Sequence, residues 1–484
     1  MTSTGGRALL AVAGVFALNS IVAVHAPTDG ILTLPATLAE TGVVTAAHRG
    51  EILERPFTVP PSTNEIDIDF AFEPAGRPVE FDLGLRSPAG VRGWSEDRSD
   101  HIHLDAASAS FGYLPGPIQA GQWALLIGVA NVPDAVEIHY QAKIRLSNEL
   151  DRPGPVLRAH DGWYAGDLHT HSGHSDGYHT TKEGIRRPVS VAEIQAAALR
   201  DHLDFAAITD HNTTSHWLDI DRVQPETRRL LLLHGIEVTT YRGHFNAIGG
   251  LRLPDFRLGP NRPMTRVLGD TRADGAFVSI NHPWLPNDEW CMGCRWTDSD
   301  NQTLAGAQGV EVVNGPLRDD RLPGFHYWAD LLNAGHRLVA VGGSDSHDPS
   351  ATDRPVGRPI TLVHASALSE DRVRDGLKQG RVYVRTVGVA GPSIDFEATD
   401  GVSTAAMGGS IHSGRVTFRA MIDGAKNQDC VWIKRGQEIQ VRRLKSAHVE
   451  LKFATEAVAG DWFSIVIRNG PHWTALSNAI YIDP

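Results

Sequence analysis

Between Asp167 and Gly177 the chain reads DLHTHSGHSDG, with three histidines (His169, His171, His174) and two aspartates (Asp167, Asp176). Almost nothing in the stretch can build a core. Imidazole and carboxylate together are the donors taken up by divalent ions of borderline character, such as Zn, Mn or Fe. Donors two residues apart in an extended segment point to one side. The HTH at 169–171 and the DSH at 345–347 therefore each aim a pair in one direction.

Further donors stand where other apolar runs stop. TDHN ends one run at His211, GIEVTT carries Glu237, NHPW carries His282, EVVNG ends on Asn314, and GGSDSH carries Asp345 and His347. His244, in RGHFNAIGG, follows the Glu237 run within a hairpin or short strand. The candidate set is His169, His171, Asp176, His211, Glu237, His244, His282, Asp345 and His347. One zinc ion takes about four protein donors, so this set calls for two or three divalent ions (Zn, Mn or Fe). A single histidine at a strand end is more often a satisfied polar group than a ligand. His174 and His179 fall under that reading and line the mouth of the motif, while His101, His103 and His139 are expected to be solvated. Asn314 and Asp210 are candidates to orient ligands without binding metal.

The donors need a scaffold that brings these ends together. Over residues 160–385 short apolar runs (LDFAAITDH, LLLLHGIEV, AFVSIN, GVEVVN, LVAVGG, PITLV) alternate with helical patterns, the grammar of parallel β/α units. SVAE at 190–193 is a capping box ahead of Ile194, Ala197, Ala198 and Leu199. In a β/α barrel the C-terminal strand ends converge on one face, where catalytic groups gather. Residues 28–150 instead alternate with period two, as in EIDIDFAF, and predict a β-sandwich closed by a linker at Glu149–Pro155. From 392 to 484 the alternation returns (RVTFRAMI, HVELKFA, DWFSIVI) and predicts a small C-terminal β domain.

With 484 residues, two or three domains are expected, and the 41% hydrophobic and 21% charged fractions are those of a globular protein. A net charge of −12 with dispersed Lys and Arg excludes bulk nucleic acid as a partner. Residues 1–26 place Arg7 before an apolar run and end on Val24 and Ala26, the pattern of a signal peptide, which predicts export to a periplasmic or extracellular space. An uncleaved anchor, or a cytoplasmic protein with a mis-started end, are the alternatives. No later run is apolar for long enough to span a bilayer. Cys291 and Cys294 form CMGC, a local disulfide in an exported protein or two ordinary thiols in the cytosol, and Cys430 stands alone.

DLHTHSGHSDG, TDHN, GIE, NHP and GSDSH, in this order, resemble the PHP (polymerase and histidinol phosphatase) superfamily, over about Trp163 to Arg385. WYAGDLHTHS, VGGSDSH and GLKQGRVYV look more narrowly like its carbaryl-hydrolase-like (CehA/McbA) branch. The resemblance implies a distorted seven-stranded β/α barrel, (β/α)7, with up to three metals. It assigns His169, His171 and Asp345 to a first ion, Glu237 as a bridge to a second held by His244 and His282, and Asp176, His211 and His347 to a third. The position of Asp176 is the least secure, with His174 as the substitute.

The chemistry implied is hydrolysis of a small-molecule ester by a metal-bridged hydroxide, with Glu237, His211 and Asp345 at the reacting centre. A phosphoester is the first expectation and a carbamate or carboxylic ester the near rival. Phosphate calls for arginines, and Arg186, Arg187, Arg242, Arg295 and Arg318 are available in the following loops. A binding module with the barrel as a metal-stiffened scaffold is the reading from another class. It is disfavoured because scaffold sites close on four ligands.

Overall fold

The computed structural model describes residues 34–74, 79–95, 100–106, 108–110, 112–148, 154–250, 252–287, 291, 293–298, 301–316 and 323–484. The expected signal peptide and most of the expected linker lie outside them. Two four-stranded antiparallel sheets come first. One runs in the order Ala36–Val44, Ile138–Ser147, Glu65–Glu73, His101–Asp105, and the other Ile52–Val59, Gly121–Asn131, Glu80–Ser87, Gly90–Ser95. The period-two pattern turns Ile66, Ile68 and Phe70 inward against Leu83, Leu85, Trp123 and Ile127, and the remaining members of that cluster also come from this region. His103 corrects one expectation. Its Nδ1 lies 3.0 Å from Asp67 and its Nε2 3.3 Å from Asp105, so it is ion-paired and largely covered instead of solvated.

Among the described residues, the region carrying the donors supplies nine strands to one sheet: β1 Gly162–Asp167, β2 Phe205–Ile208, β3 Leu231–Thr240, β4 Gly243–Ile248, β5 Phe277–Ile280, β6 Gly309–Asn314, β7 Val339–Gly343, β8 Ile360–Ala365 and β9 Val382–Arg385. They lie side by side in the order β7-β6-β5-β4-β3-β2-β1-β8-β9. Pairing is parallel along β1–β2–β3 and β5–β6–β7, and antiparallel at β3–β4, β4–β5, β1–β8 and β8–β9. The sheet is thus mixed, and departs from strict β/α alternation where the His244 hairpin and the last strands enter.

The ends of this path meet through side chains. Gly342 on β7 donates its N–H to Thr361 Oγ1 on β8 (2.9 Å). Asn478 accepts from Ala340 N (2.7 Å) and donates to the carbonyls of Ala340 on β7 and Val382 on β9 (2.9 Å each).

Helix α1, Val191–Arg200, starts at the expected capping box. Ser190 Oγ accepts from Glu193 N while Glu193 Oε2 accepts from Ser190 N, and Val191, Ile194, Ala197 and Ala198 are buried. The C-terminal strands continue the same sheet. His472–Ser477 pairs with β9, followed by Trp462–Asn469, Asp429–Lys434 and Gln437–Arg443. A separate four-stranded sheet packs Thr404–Ala406, Ser393–Thr399, Gly414–Asp423 and His448–Ala457. Trp462 meets Trp328 of the helix Pro323–Asn333 at 5.3 Å between ring centroids, so one apolar cluster serves both regions. Among the described residues no helix is long and apolar enough to cross a membrane.

Candidate metal centre

The end of β1 is fixed by a buried carboxylate. Asp167 accepts the N–H groups of His169 (3.1 Å), Ser344 (2.9 Å) and Gly357 (2.8 Å), tying the strand to the end of β7 and to the loop beyond it. Two residues on, His169 and His171 are buried with their Nε2 atoms 3.1 Å apart. The loop that follows is held by Asp210, which accepts from Ser172 N, Ser172 Oγ and Ser175 Oγ.

Glu237, on β3, stands at the middle of the cluster and is 1% exposed. Its Oε2 lies 3.2 Å from His169 Nε2, 3.3 Å from His171 Nε2 and 3.1 Å from His211 Nδ1. Its Oε1 lies 3.3 Å from His244 Nδ1 and 3.2 Å from His282 Nε2, and accepts from Asn281 Nδ2 at 2.9 Å. Asp345 Oδ1 is 3.4 Å from His169 Nε2, 3.1 Å from His171 Nε2 and 3.6 Å from His347 Nδ1. Asp176 Oδ2 is 3.2 Å from His347 Nε2 and 3.6 Å from His211 Nε2. All nine sequence candidates therefore join one connected cluster.

Within it, donor atoms group as His171, Asp176, His211 and His347; as His169, His282 and Asp345; as His169, His171 and Glu237; and as His211, Glu237 and His244. His171 thus belongs with the outer group as well as with His169. Its ring stacks on those of His347 and His211 at 4.2 and 4.5 Å between centroids. His174 does not take the place of Asp176, because its ring bonds Ser215 and Asp219. His179 likewise bonds Asp348 and Ser350.

Burial opposes charge on Glu237 and Asp345, yet the surrounding imidazoles win and hold both carboxyls well below their usual range. His169 and His211 act on Glu237, and His169, His171 and His347 on Asp345. Burial likewise works to lower His347, and its bond to Asp176 with the charge of Asp345 outweighs that, raising it to about 9. The field that draws protons here draws divalent cations too. His171 Nδ1, both ring nitrogens of His244 and His282 Nδ1 are buried and have no hydrogen-bond partner. Each such atom costs about 1–3 kcal/mol if left unsatisfied, and a cation relieves that cost at one nitrogen of each ring. The donor set fits divalent metal.

Two of these residues sit in a strained backbone region, His282 at φ +26° and Asp345 at φ +52°. Their amides are held, His282 N by Glu311 Oε2 (3.0 Å) and Asp345 N by the carbonyl of His169 (2.8 Å). Glu311 also accepts from His169 Nδ1 (3.0 Å) and Asn314 Nδ2 (3.0 Å). Gly343 admits this packing, since a Cβ there would lie 2.3 Å from His169 Cβ.

Glu311, Asn281 and Arg354 were not among the residues expected from the sequence, and Cys294 was expected only as a disulfide partner or an ordinary thiol. The signal for Glu311 was present as a lone charge inside an apolar central strand. Arg354 Nη1 donates to Asp345 Oδ2 (2.8 Å) and Asn314 Oδ1 (2.9 Å). Of the arginines named from sequence, Arg187 pairs with Glu193, Arg242 with Asp298, Arg186 lies over Tyr178, and Arg318 falls outside the described residues. Cys291 and Cys294 are disulfide-bonded.

Fold and site together define a strand-rich α/β protein with a buried histidine–carboxylate centre suited to divalent metal. No family model matches the chain, and no curated protein matches it. Among solved structures, one similar chain is a two-domain protein from Bacteroides vulgatus containing a predicted PHP-like metal-dependent phosphoesterase. It has 20% identity over 68% of this chain and 100% of its own, with a TM-score of 0.40. Another is PsfC from Pseudomonas syringae, with 17% identity over 46% of this chain and 90% of its own and a TM-score of 0.33.

Proposed function

We propose that this chain is a PHP-type metal-dependent hydrolase acting on phosphoesters, with the nine strands β1–β9 as its distorted barrel. The observation that carries the reading is the convergence of five imidazoles on the two oxygens of one buried carboxylate, Glu237. In this reading His169, His171 and Asp345 would hold one ion and His244 and His282 a second, with Glu237 as a ligand the two could share. Asp176, His211 and His347 serve a third. Such ions supply a water acidic enough to attack near neutral pH and polarise the centre attacked.

The chain's own residues set the geometry. Asn281 fixes one oxygen of Glu237, and Arg354 with Asn314 fixes Asp345 Oδ2, so that Oδ1 faces the imidazoles. His211 has 26% of its side chain exposed and stands between Glu237 and Asp176, where as a ligand it would hold the third ion beside the leaving oxygen. Both hydrogen bonds of the Arg354 guanidinium among the described residues use Nη1, which leaves Nη2 and Nε to meet an anionic substrate. That arginine favours a phosphoester over a neutral ester.

The test is a panel of aryl phosphate mono- and diesters, aryl carbamates and carboxylic esters, run on protein purified without chelator and analysed for metal. Phosphoester turnover that is lost together with bound metal in Glu237→Ala supports the reading. Full activity in that variant refutes the role of Glu237. Carbamate turnover without phosphoester turnover replaces the substrate class.

A further inference from the structure

Cys294, between β5 and the short helix Asn301–Leu304, lies against the metal centre. Cys294 is 5% exposed, and its Sγ lies within 4.8 Å of a ring nitrogen of His244 and one of His282, which lie equally close to each other. Those two imidazoles carry three of the buried ring nitrogens that have no hydrogen-bond partner.

The fold holds this segment in place. Gly293, at φ +92°, has no Cβ where one would lie 2.0 Å from the carbonyl oxygen of Thr240. Gly243, at φ +155°, leaves room for the Trp296 ring, 2.3 Å from where its Cβ would be. Thr297 N donates to the carbonyl of Arg242 (2.8 Å), and Arg242 Nε to Asp298 Oδ2 (2.9 Å). The hairpin that presents His244 thereby also braces the segment that holds Cys294.

We propose that Cys294, released from Cys291 by reduction, becomes a thiolate ligand to an ion held by His244 and His282, and that disulfide formation withdraws it. The inference rests on the metal-centre reading above. The exchange balances with a dithiol as reductant. Two electrons pass to the Cys291–Cys294 bond, both cysteines emerge as thiols, and the dithiol closes to its own disulfide. Binding of the ion then displaces the Cys294 proton to solvent. Two imidazoles, a thiolate and the carboxylate of Glu237 make the four-donor composition that closes a zinc site. Without the sulfur, three donors leave a position open for water or substrate. The reduced protein therefore holds its ion more tightly and hydrolyses more slowly.

The full chain, stripped of metal, is loaded with Co(II) before and after treatment with a phosphine reductant that is then removed, and its absorption spectrum is recorded. A thiolate-to-cobalt charge-transfer band is expected only after reduction. It should appear in Cys291→Ser without prior oxidation-state dependence and stay absent from Cys294→Ser. Zinc affinity at this position is expected to rise about tenfold or more on reduction, since partners that only touch a ligand already act on that scale. Cobalt bound by the reduced wild type with no charge-transfer band overturns the proposal while leaving the metal centre standing. Failure to bind cobalt in either state overturns both.

Discussion

Replacing Glu311 by glutamine tests how the centre keeps His169 ready for metal. Three donors converge on that carboxylate: His169 Nδ1 on Oε1, and His282 N with Asn314 Nδ2 on Oε2. A glutamine keeps one acceptor oxygen. If it faces His282 N and Asn314, its NH2 meets His169 Nδ1, which must then give up its proton and accept. The proton moves to Nε2, the atom that faces Glu237 and Asp345, and that nitrogen can no longer bind metal. If the amide turns the other way, the strained His282 backbone loses its anchor. The second arrangement loses both bonds to Oε2, and the first exchanges a bond to a buried charged group for one that forces the wrong tautomer, at a cost of about 1.5–3 kcal/mol. That corresponds to roughly tenfold to a hundredfold weaker binding of the ion at His169. Competition against a chromophoric chelator measures it, with a melting curve to show that the variant is folded. Zinc affinity within twofold of wild type, in a folded Glu311→Gln, would refute the tautomer argument.

Gly343→Ala is expected to lower the melting temperature and reduce metal content together. Its Cβ would fall 2.3 Å from His169 Cβ and 2.9 Å from Glu311 Oε1, and overpacking of this kind costs about 1–3 kcal/mol. Removing metal with a chelator should also lower the melting temperature, by the equivalent of about 2.7 kcal/mol if free ion had stood a hundredfold above its Kd. An unchanged transition after chelation would speak against an ion bound only in the folded state. Ellman's reagent should find no reactive thiol in the native, unreduced protein and one after unfolding, because Cys430 is buried and its thiol is pushed up to about 12. Burial works to lower His103, but its bonds to Asp105 and Asp67 outweigh that and raise it from 6.5 to about 10. A raised folded-state value means a contribution fully present below about pH 6.5 and lost as pH rises through about 10. The urea midpoints of wild type and His103→Ala should therefore converge as pH approaches about 11. A constant gap would assign the loss to packing alone.

Much of the centre was legible because its residues break the pattern around them. His169, His211, Glu237, His282 and Asp345 each interrupt or end an apolar run, where a core-building residue would otherwise stand. Glu311 was hidden by its own strand, since the polar Asn314 at the strand end drew attention away from a charge three residues earlier. Arg354 has no local mark that separates it from Arg187 or Arg242, and only the tertiary fold shows that those two are engaged elsewhere. The nearness of Cys294 to His244 sets a residue from the segment after β5 against one on β4, and no spacing along the chain encodes it. Period-two alternation foretold strands after residue 392 and which of their faces are apolar. It is silent on which neighbour each strand pairs with, so the continuation of the sheet from β9 into His472–Ser477 could not be read.

The position of Asn478 bears on how the protein is made. Its side chain joins β7 to β9, so the wall behind the metal centre is finished by a residue translated long after His347. While the ribosome is still extending the chain, every donor has emerged but the seam beside β7 stays open. Tight capture of an ion by the cluster would then wait until Asn478 has left the ribosome and docked between β7 and β9.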